Sequence, residues 1–416
     1  MSETKTRGAG FSLGVLTLVN LLNYLDRYIV AGVVPRVQAE FGLNNTQAGA
    51  LGTVFVLVYM VASPVGGFLG DRIQRRHVVA GSVFLWSLAT VGSGLAGTYV
   101  ALLGARAVLG VGEAGYGSVG PAIISDLYPR DRRTRMLAIF FVALPVGAAL
   151  GYAVGGWIGA TYSWRLAFFI GGAPGLVLAF LMLFTPEPAR GATETEPVVH
   201  EKIPFAEGLR RLRPNRVYWA ATAGLTAVTF AMGGLGYWMP KFLEAERGID
   251  PGRAGFLFGA VTAVAGLAGT MLGGVLGDRA DRRRQGGGLW VSGMGMIAGA
   301  PFMVLAATVQ GEAAIYAAAF AAELLLFMNT APINAAIVNS IPPSYRTFAI
   351  GVSNLMLHAL GDAISPSAIG AVADASSVAM AIRANALPVV LGGLILAWGA
   401  RQARLAGAGA ATAPAS

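Results

Sequence analysis

The chain contains no cysteine, which excludes disulfides, thiol nucleophiles and thiolate metal sites. Charge is scarce as well. Only 12% of the 416 residues are Asp, Glu, Lys or Arg, about half the roughly 25% of a soluble domain. So few charges cannot cover a water-facing surface of this size. There are three histidines and none stands in an H-E-x-x-H pattern. No Walker loop occurs, and the one G-x-S-x-G string, GFSLG at 10–14, lies in a long apolar run and not at the strand-to-helix turn that makes an elbow. These absences argue against a metal-dependent or serine-dependent membrane enzyme, against a nucleotide-driven pump, and for a protein that needs no metal or cofactor.

What is present is apolar surface. Hydrophobic residues make up 55% of the chain and glycine contributes 58 residues, with a mean hydropathy of +0.62. A bilayer-spanning helix needs about 20 mostly apolar residues. Twelve such runs can be drawn, at 11–34, 46–69, 78–97, 99–126, 136–160, 164–185, 217–240, 252–276, 287–309, 312–337, 347–372 and 378–400. The expected fold is therefore all-α and integral to the membrane, with twelve spans in two pseudo-symmetric six-helix bundles. The longest polar interruption, 186–216, divides residues 1–185 from 217–416 and contains "FAEGLRRLR", which reads as a short interfacial amphipathic helix.

Basic residues set the orientation. Of the 30 lysines and arginines, 22 fall on the side that carries both termini and 6 on the other, with Arg27 and Arg106 inside the membrane. By the positive-inside rule both termini are expected in the cytoplasm, in a cell inner (plasma) membrane. The net charge of +9 is thereby spent on short loops, and no basic face interleaved with aromatics marks a nucleic-acid partner. The N-terminal run lacks a short apolar core and a cleavage site, so it reads as a retained first helix.

A repeat supports two halves. "GFLGDRIQRRH" follows the second run and "GVLGDRADRRR" the eighth, so that Gly70, Asp71, Arg72, Arg75 and Arg76 correspond to Gly277, Asp278, Arg279, Arg282 and Arg283.

At these loops the chain resembles the major facilitator superfamily, whose pattern between helices 2 and 3 is G-x-x-x-D-R-x-x-R-[RK]. "RAVLGVGEAG" resembles that family's fourth-helix motif. "LLNYLDRYIVAGVVP", "GVGEAGYGSVGPAIISDLYPRDRRTRMLAIF", "PVGAALGYAVGG" and "HALGDAISPSAIG" are similar in order to the Spinster group. The resemblance implies a transporter of lysophospholipids or sphingosine-1-phosphate-like amphiphiles, linked to protons in some members. It also implies a latch role for the first loop: Gly70, Asp71, Arg75 and Arg76, with Asp278 in the second copy.

The intramembrane charges are the candidate site. An ionisable group at the bilayer centre costs roughly 2.5–3.5 kcal/mol on insertion scales and is usually functional. Asp26 and Arg27 are adjacent and point about 100° apart on their helix. Asn20, Tyr24 and Arg27 share one face, and Arg106 and Glu113, two turns apart, offer partners from the fourth run. Arg27, Arg106, Glu113, Asn20 and Tyr24 are the expected substrate residues; Asp26, Glu113, His358 and Asp362 are the expected proton carriers. Asn354, His358 and Asp362 recur every four residues, and Glu323, Thr330 and Asn334 make a weaker stripe. Gly147, Gly151 and Gly155 read as a close-packing face. The function expected is proton-linked alternating access for an amphiphilic anion by a monomer. A multidrug or organic-anion exporter is the competing reading, and a receptor without transport is weaker because it has no use for four intramembrane charges.

Overall fold

The computed structural model describes residues 8–117, 119–189, 204–342 and 345–411, without the side chains of residues 71, 130, 131, 134, 347 and 406–411. Every regular element among them is helical. In chain order these are α1 (Ala9–Phe41), α2 (Asn45–Arg72), α3 (Arg75–Leu95), α4 (Tyr99–Ala114), α5 (Val119–Leu127), α6 (Arg130–Ala153), α7 (Gly159–Thr161), α8 (Trp164–Met182) and α9 (Phe205–Leu212). Then follow α10 (Arg216–Lys241), α11 (Pro251–Arg283), α12 (Gly287–Ala306), α13 (Glu312–Phe327), α14 (Thr330–Asn339), α15 (Arg346–Leu357), α16 (Ser365–Ala375), α17 (Val378–Ala384) and α18 (Ala386–Ala411). Single π-helical turns occupy Val154–Ile158, Phe242–Glu246 and His358–Asp362.

Counted as spans, 11 helical stretches are long and apolar enough to cross a membrane among the described residues. The twelfth expected run is α10, which has the length, 26 residues, but is diluted by Thr, Gly, Tyr and Trp. Twelve membrane-crossing helices are thus present, with different ends from those expected. The first continues seven residues past 34 and stops at Gly42, whose φ of 65° places it in the left-handed region and breaks the helix. The fourth is not one helix. It breaks at Gly115–Gly117, where Tyr116 turns inward between Trp86 and Phe140 and donates its hydroxyl to Leu16 O at 3.2 Å.

The chain folds into two compact units, Met1–Pro197 with Gly236–Ala260, and Val198–Leu235 with Val261–Ser416. In the first, α1 is central. Gly147, Gly151 and Gly155 lie against the carbonyl oxygens of Leu21, Leu25 and Ile29, and a Cβ at Gly151 would stand 2.5 Å from Leu25 O. That face does pack closely, backbone on backbone. The segment Gly236–Ala260 is tied into the same unit: Tyr237 donates to Ala48 O at 2.6 Å, Tyr152 to Gly236 O at 2.8 Å, and Arg36 pairs with Glu244 at 2.6 Å.

In the second unit, α9 forms where the amphipathic stretch predicts it, and its Gly208 and Leu212 are buried. Phe205 packs edge-on against Phe348 with ring centroids 5.5 Å apart. Arg211 donates to Glu207 at 2.9 Å, and this bond holds the exposed carboxyl below its usual range. Residues 190–203 of the connecting stretch lie outside the described set.

The repeated loops differ in form. In the first copy α2 ends at Arg72, and Arg75 opens α3 buried, paired with Asp126 at 2.6 Å and Glu187 at 3.2 Å and donating to Pro188 O at 2.8 Å. Glu187 also accepts the backbone N–H groups of Arg75 and Arg76, capping α3. In the second copy α11 runs unbroken through Asp278 to Arg283, and Asp281 caps α12 by accepting from Gly288 N at 2.8 Å.

Candidate functional site

The adjacent pair on α1 separates. Asp26 turns toward α3 and α8, where its Oδ2 accepts from Thr90 Oγ1 at 3.1 Å. Its Oδ1 is buried without a hydrogen bond, beside Gly171. A Cβ on Gly171 would stand 2.7 Å from that oxygen. No cation pairs with Asp26 among the described residues.

Arg27 turns the other way, to α4. Its Nε lies 2.7 Å from Glu113 Oε2, with the arginine side chain 24% exposed and the glutamate 0%. Three rings flank the guanidinium, Tyr24 at 5.1 Å, Phe55 at 5.3 Å and Tyr59 at 5.0 Å from their centroids. Such cation–π contacts are worth about 0.5–2 kcal/mol each, more when water is excluded. Phe55 and Tyr59 reach the site because α2 lies directly on α4 at Gly110, where a Cβ would stand 2.6 Å from Phe55 O. Gly110 lets that neighbouring backbone approach.

Arg106 does not join the pair. It is 1% exposed, donates Nε to Leu51 O at 3.3 Å and lies over the Phe55 ring at 5.0 Å. Among the described residues it forms no ion pair with Glu113, which lies two turns along α4. Asn20 donates to Phe140 O at 3.0 Å, bonding α1 to α6, and Tyr24 packs under Arg27. Glu113 Oε1 is buried with no hydrogen-bond partner.

His358 and Asp362 meet in the second unit. His358 Nδ1 is 3.1 Å from both carboxylate oxygens, and the side chains are 30% and 28% exposed. The π turn and the non-helical Gly361 (φ −97°, ψ −106°) set this geometry. Glu323 is a separate case. It is 1% exposed and accepts from Thr262 at 3.1 Å, while its Oε2 has no partner. The stripe with Thr330 and Asn334 is broken, because α13 ends at Phe327 and α14 begins at Thr330.

Of the expected latch residues, Gly70 is buried against Val119 and Arg75 is bonded as described. Arg76 donates Nε to Gln74 at 3.0 Å, and Asp278 is exposed. The side chain of Asp71 lies outside the described set. Sequence reasoning missed Phe55, Tyr59 and Thr90 around the charges, and Asp126 and Glu187 around Arg75. Phe55 and Tyr59 are four apart, a helical stripe visible in the sequence; Thr90 and Glu187 carried no signal of their own.

A model of the Major Facilitator Superfamily matches residues 16–366. Protein spinster of Drosophila melanogaster is 36% identical over 379 residues, covering 89% of this chain and 62% of that protein. The chain therefore spans less than two thirds of the fly protein's length. Protein spinster homolog 1 of Homo sapiens is 36% identical over 390 residues, with 87% and 72% covered. The sphingosine-1-phosphate transporter SPNS2 of Xenopus tropicalis is 33% identical over 385 residues, with 88% and 74% covered. Among solved structures, a bacterial homolog to the human lysosomal transporter Spinster, in an inward-facing and unoccupied conformation, is similar with a TM-score of 0.86 and 23% identity. That match covers 97% of this chain and 98% of the other, and it speaks to the fold.

Proposed function

The chain belongs to the Major Facilitator Superfamily and, within it, to the Spinster group, and on that premise we propose a proton-linked transporter of an anionic, single-chain amphiphile. Family membership sets aside the membrane-enzyme reading. The observation that carries the proposal is the Arg27–Glu113 pair, whose cation is partly exposed while its anion is wholly buried. A phosphate arriving at the exposed side of the guanidinium gains charge-assisted hydrogen bonds. It competes with Glu113 for Arg27, and a carboxylate left buried without its cation is costly. A proton on Glu113 removes that cost, so substrate and proton favour each other, and the linkage is reciprocal. Asp26, with one hydroxyl donor and no cation, is the second proton carrier in this unit. His358 and Asp362 are candidates in the other.

The remaining assignments follow the sequence. Two six-helix halves, 1–185 and 217–416, with both termini in the cytoplasm of a cell's inner membrane, form a monomer in which Gly70, Asp71, Arg75, Arg76 and Asp278 serve the latch. The test is flux of a labelled lysophospholipid or sphingosine-1-phosphate into proteoliposomes, with and without a pH gradient. Gradient-stimulated uptake of the anionic lipid is expected. Preference for cationic or bulky aromatic compounds would point to a drug exporter instead.

A further inference from the structure

The basic end of the second unit holds a cavity of about 230 Å³ lined by Arg284, Gly286, Trp290, Ala400, Arg401 and Arg404, among others. Positive-inside sorting explains basic residues near a membrane surface. It does not explain why arginines more than a hundred residues apart in sequence open onto one cavity. The packing does. Gly286 turns the chain between α11 and α12 with φ of 76°, and a Cβ there would stand 2.7 Å from Ala400 O. The α18 backbone therefore passes hard against the turn, and Arg401 and Arg404, three residues apart on one helix face, reach the same space as Arg284.

The charges there are uncompensated. Among the described residues none of these three arginines forms an ion pair. The acids closest in sequence are Asp281, which caps α12 through Gly288 N, and Asp278, which is exposed one helical turn earlier. Arg284 lies over the Trp290 ring at 5.1 Å. Trp290 is 40% exposed, and beyond it α18 presents Leu394, Trp398 and Leu405, each 46% exposed or more. Tryptophan at that level and apolar side chains alongside are the surroundings of a lipid headgroup and its chains.

We infer that this cleft is a binding site for an anionic phospholipid of the surrounding bilayer, its phosphate held by Arg284, Arg401 and Arg404 and its acyl chains lying along the exposed face of α18. The volume suits a phosphodiester and its glycerol and is below that of a drug-sized pocket. Basic pockets between helices are known anionic-lipid sites in membrane proteins. The site is separate from the Arg27–Glu113 pair, which belongs to the other unit.

The test uses the purified full-length chain in neutral detergent. Native mass spectrometry would compare dioleoyl phosphatidylglycerol with dioleoyl phosphatidylcholine, in the native protein and in R401A/R404A. The native chain is expected to retain phosphatidylglycerol more strongly, and the double variant to lose about 25-fold of that preference, at about fivefold per arginine removed. R216A, which removes an exposed arginine of the same unit bonded to Gln402, should leave it intact. Equal retention of the two lipids, or a preference that survives R401A/R404A, would overturn the site. Displacement of the lipid by millimolar inorganic phosphate would reduce it to a generic anion site and overturn the lipid assignment. A thermal melt of each variant separates loss of the site from loss of the fold.

Discussion

Arg27 and Glu113 stand 2.7 Å apart, yet only the arginine can be reached: 24% of its side chain is exposed and none of the glutamate's. The pair is therefore lopsided. A ligand can approach the cation while the anion stays in the protein, and the three rings around the guanidinium hold it in place when the carboxylate changes state.

Glu113→Gln keeps the volume and a hydrogen-bond acceptor but removes the exchangeable proton. The variant should fold and still exchange substrate across the membrane without a gradient, while uptake driven by a pH gradient falls to background. Gradient-driven flux at the native rate would move the coupling role to Asp26 or Asp362.

The two arginines should behave differently. Arg27→Ala is expected to weaken an anionic lipid far more than a neutral amphiphile of equal chain length, by at least the roughly 1.5–3 kcal/mol of a hydrogen bond to a charged group. Arg106→Ala should discriminate much less between the two, since Arg106 is buried and bonded to Leu51 O. Affinity should also rise with chain length by up to about 0.8 kcal/mol per methylene until the apolar space is filled. Binding across a chain-length and headgroup series measures all three effects. A flat series, with an indifferent Arg27, would end the lysolipid reading.

Gly151→Val places a branched side chain against the Leu25 carbonyl, and backbone cannot move aside as a side chain can. Overpacking of this kind costs about 1–3 kcal/mol or more. A lower melting temperature in detergent and a poor yield of monodisperse protein are expected. An unchanged melt would show that α6 can pull away from α1 freely.

Arg75→Ala removes the buried cation bonded to Asp126 and Glu187 and should destabilise by about 3 kcal/mol. Arg282→Ala, its counterpart on the continuous α11, should be close to neutral. Thermal melts of the two variants side by side test the difference. Equal shifts would mean that the bonds around Arg75 carry no particular weight.

The absence of cysteine makes orientation simple to probe. A single cysteine at Ser376, an exposed position between α16 and α17, should react with an impermeant maleimide added to intact cells. One at Gln285 should react only after the membrane is opened. The reverse pattern would invert the topology.

The spans were legible because twelve long apolar runs in a chain with so little charge leave few other solutions. Their ends were not. Nothing apolar marks Gly115–Gly117 as a break, since Tyr116 is held by Trp86, Phe140 and Leu16 from three other helices. The same limit applies at the charges. That Asp26, Arg27 and Glu113 stood out followed from the cost of charge in a bilayer. That Asp26 meets Thr90, and that Arg106 stays apart from Glu113, depends on helices α2 and α3, whose placement no local pattern encodes.

The loop motif written twice in the chain does not take the same shape twice. What bends the first copy is Asp126 and Glu187, neither of them part of the motif. Mapping one half onto the other by those matching letters would therefore put a helix where the first copy has a break, at Ile73 and Gln74. A graft of the second loop into the first position would carry the right arginines and still meet Glu187 in the wrong conformation. The letters repeat, and neighbours elsewhere in the chain decide how each set is read.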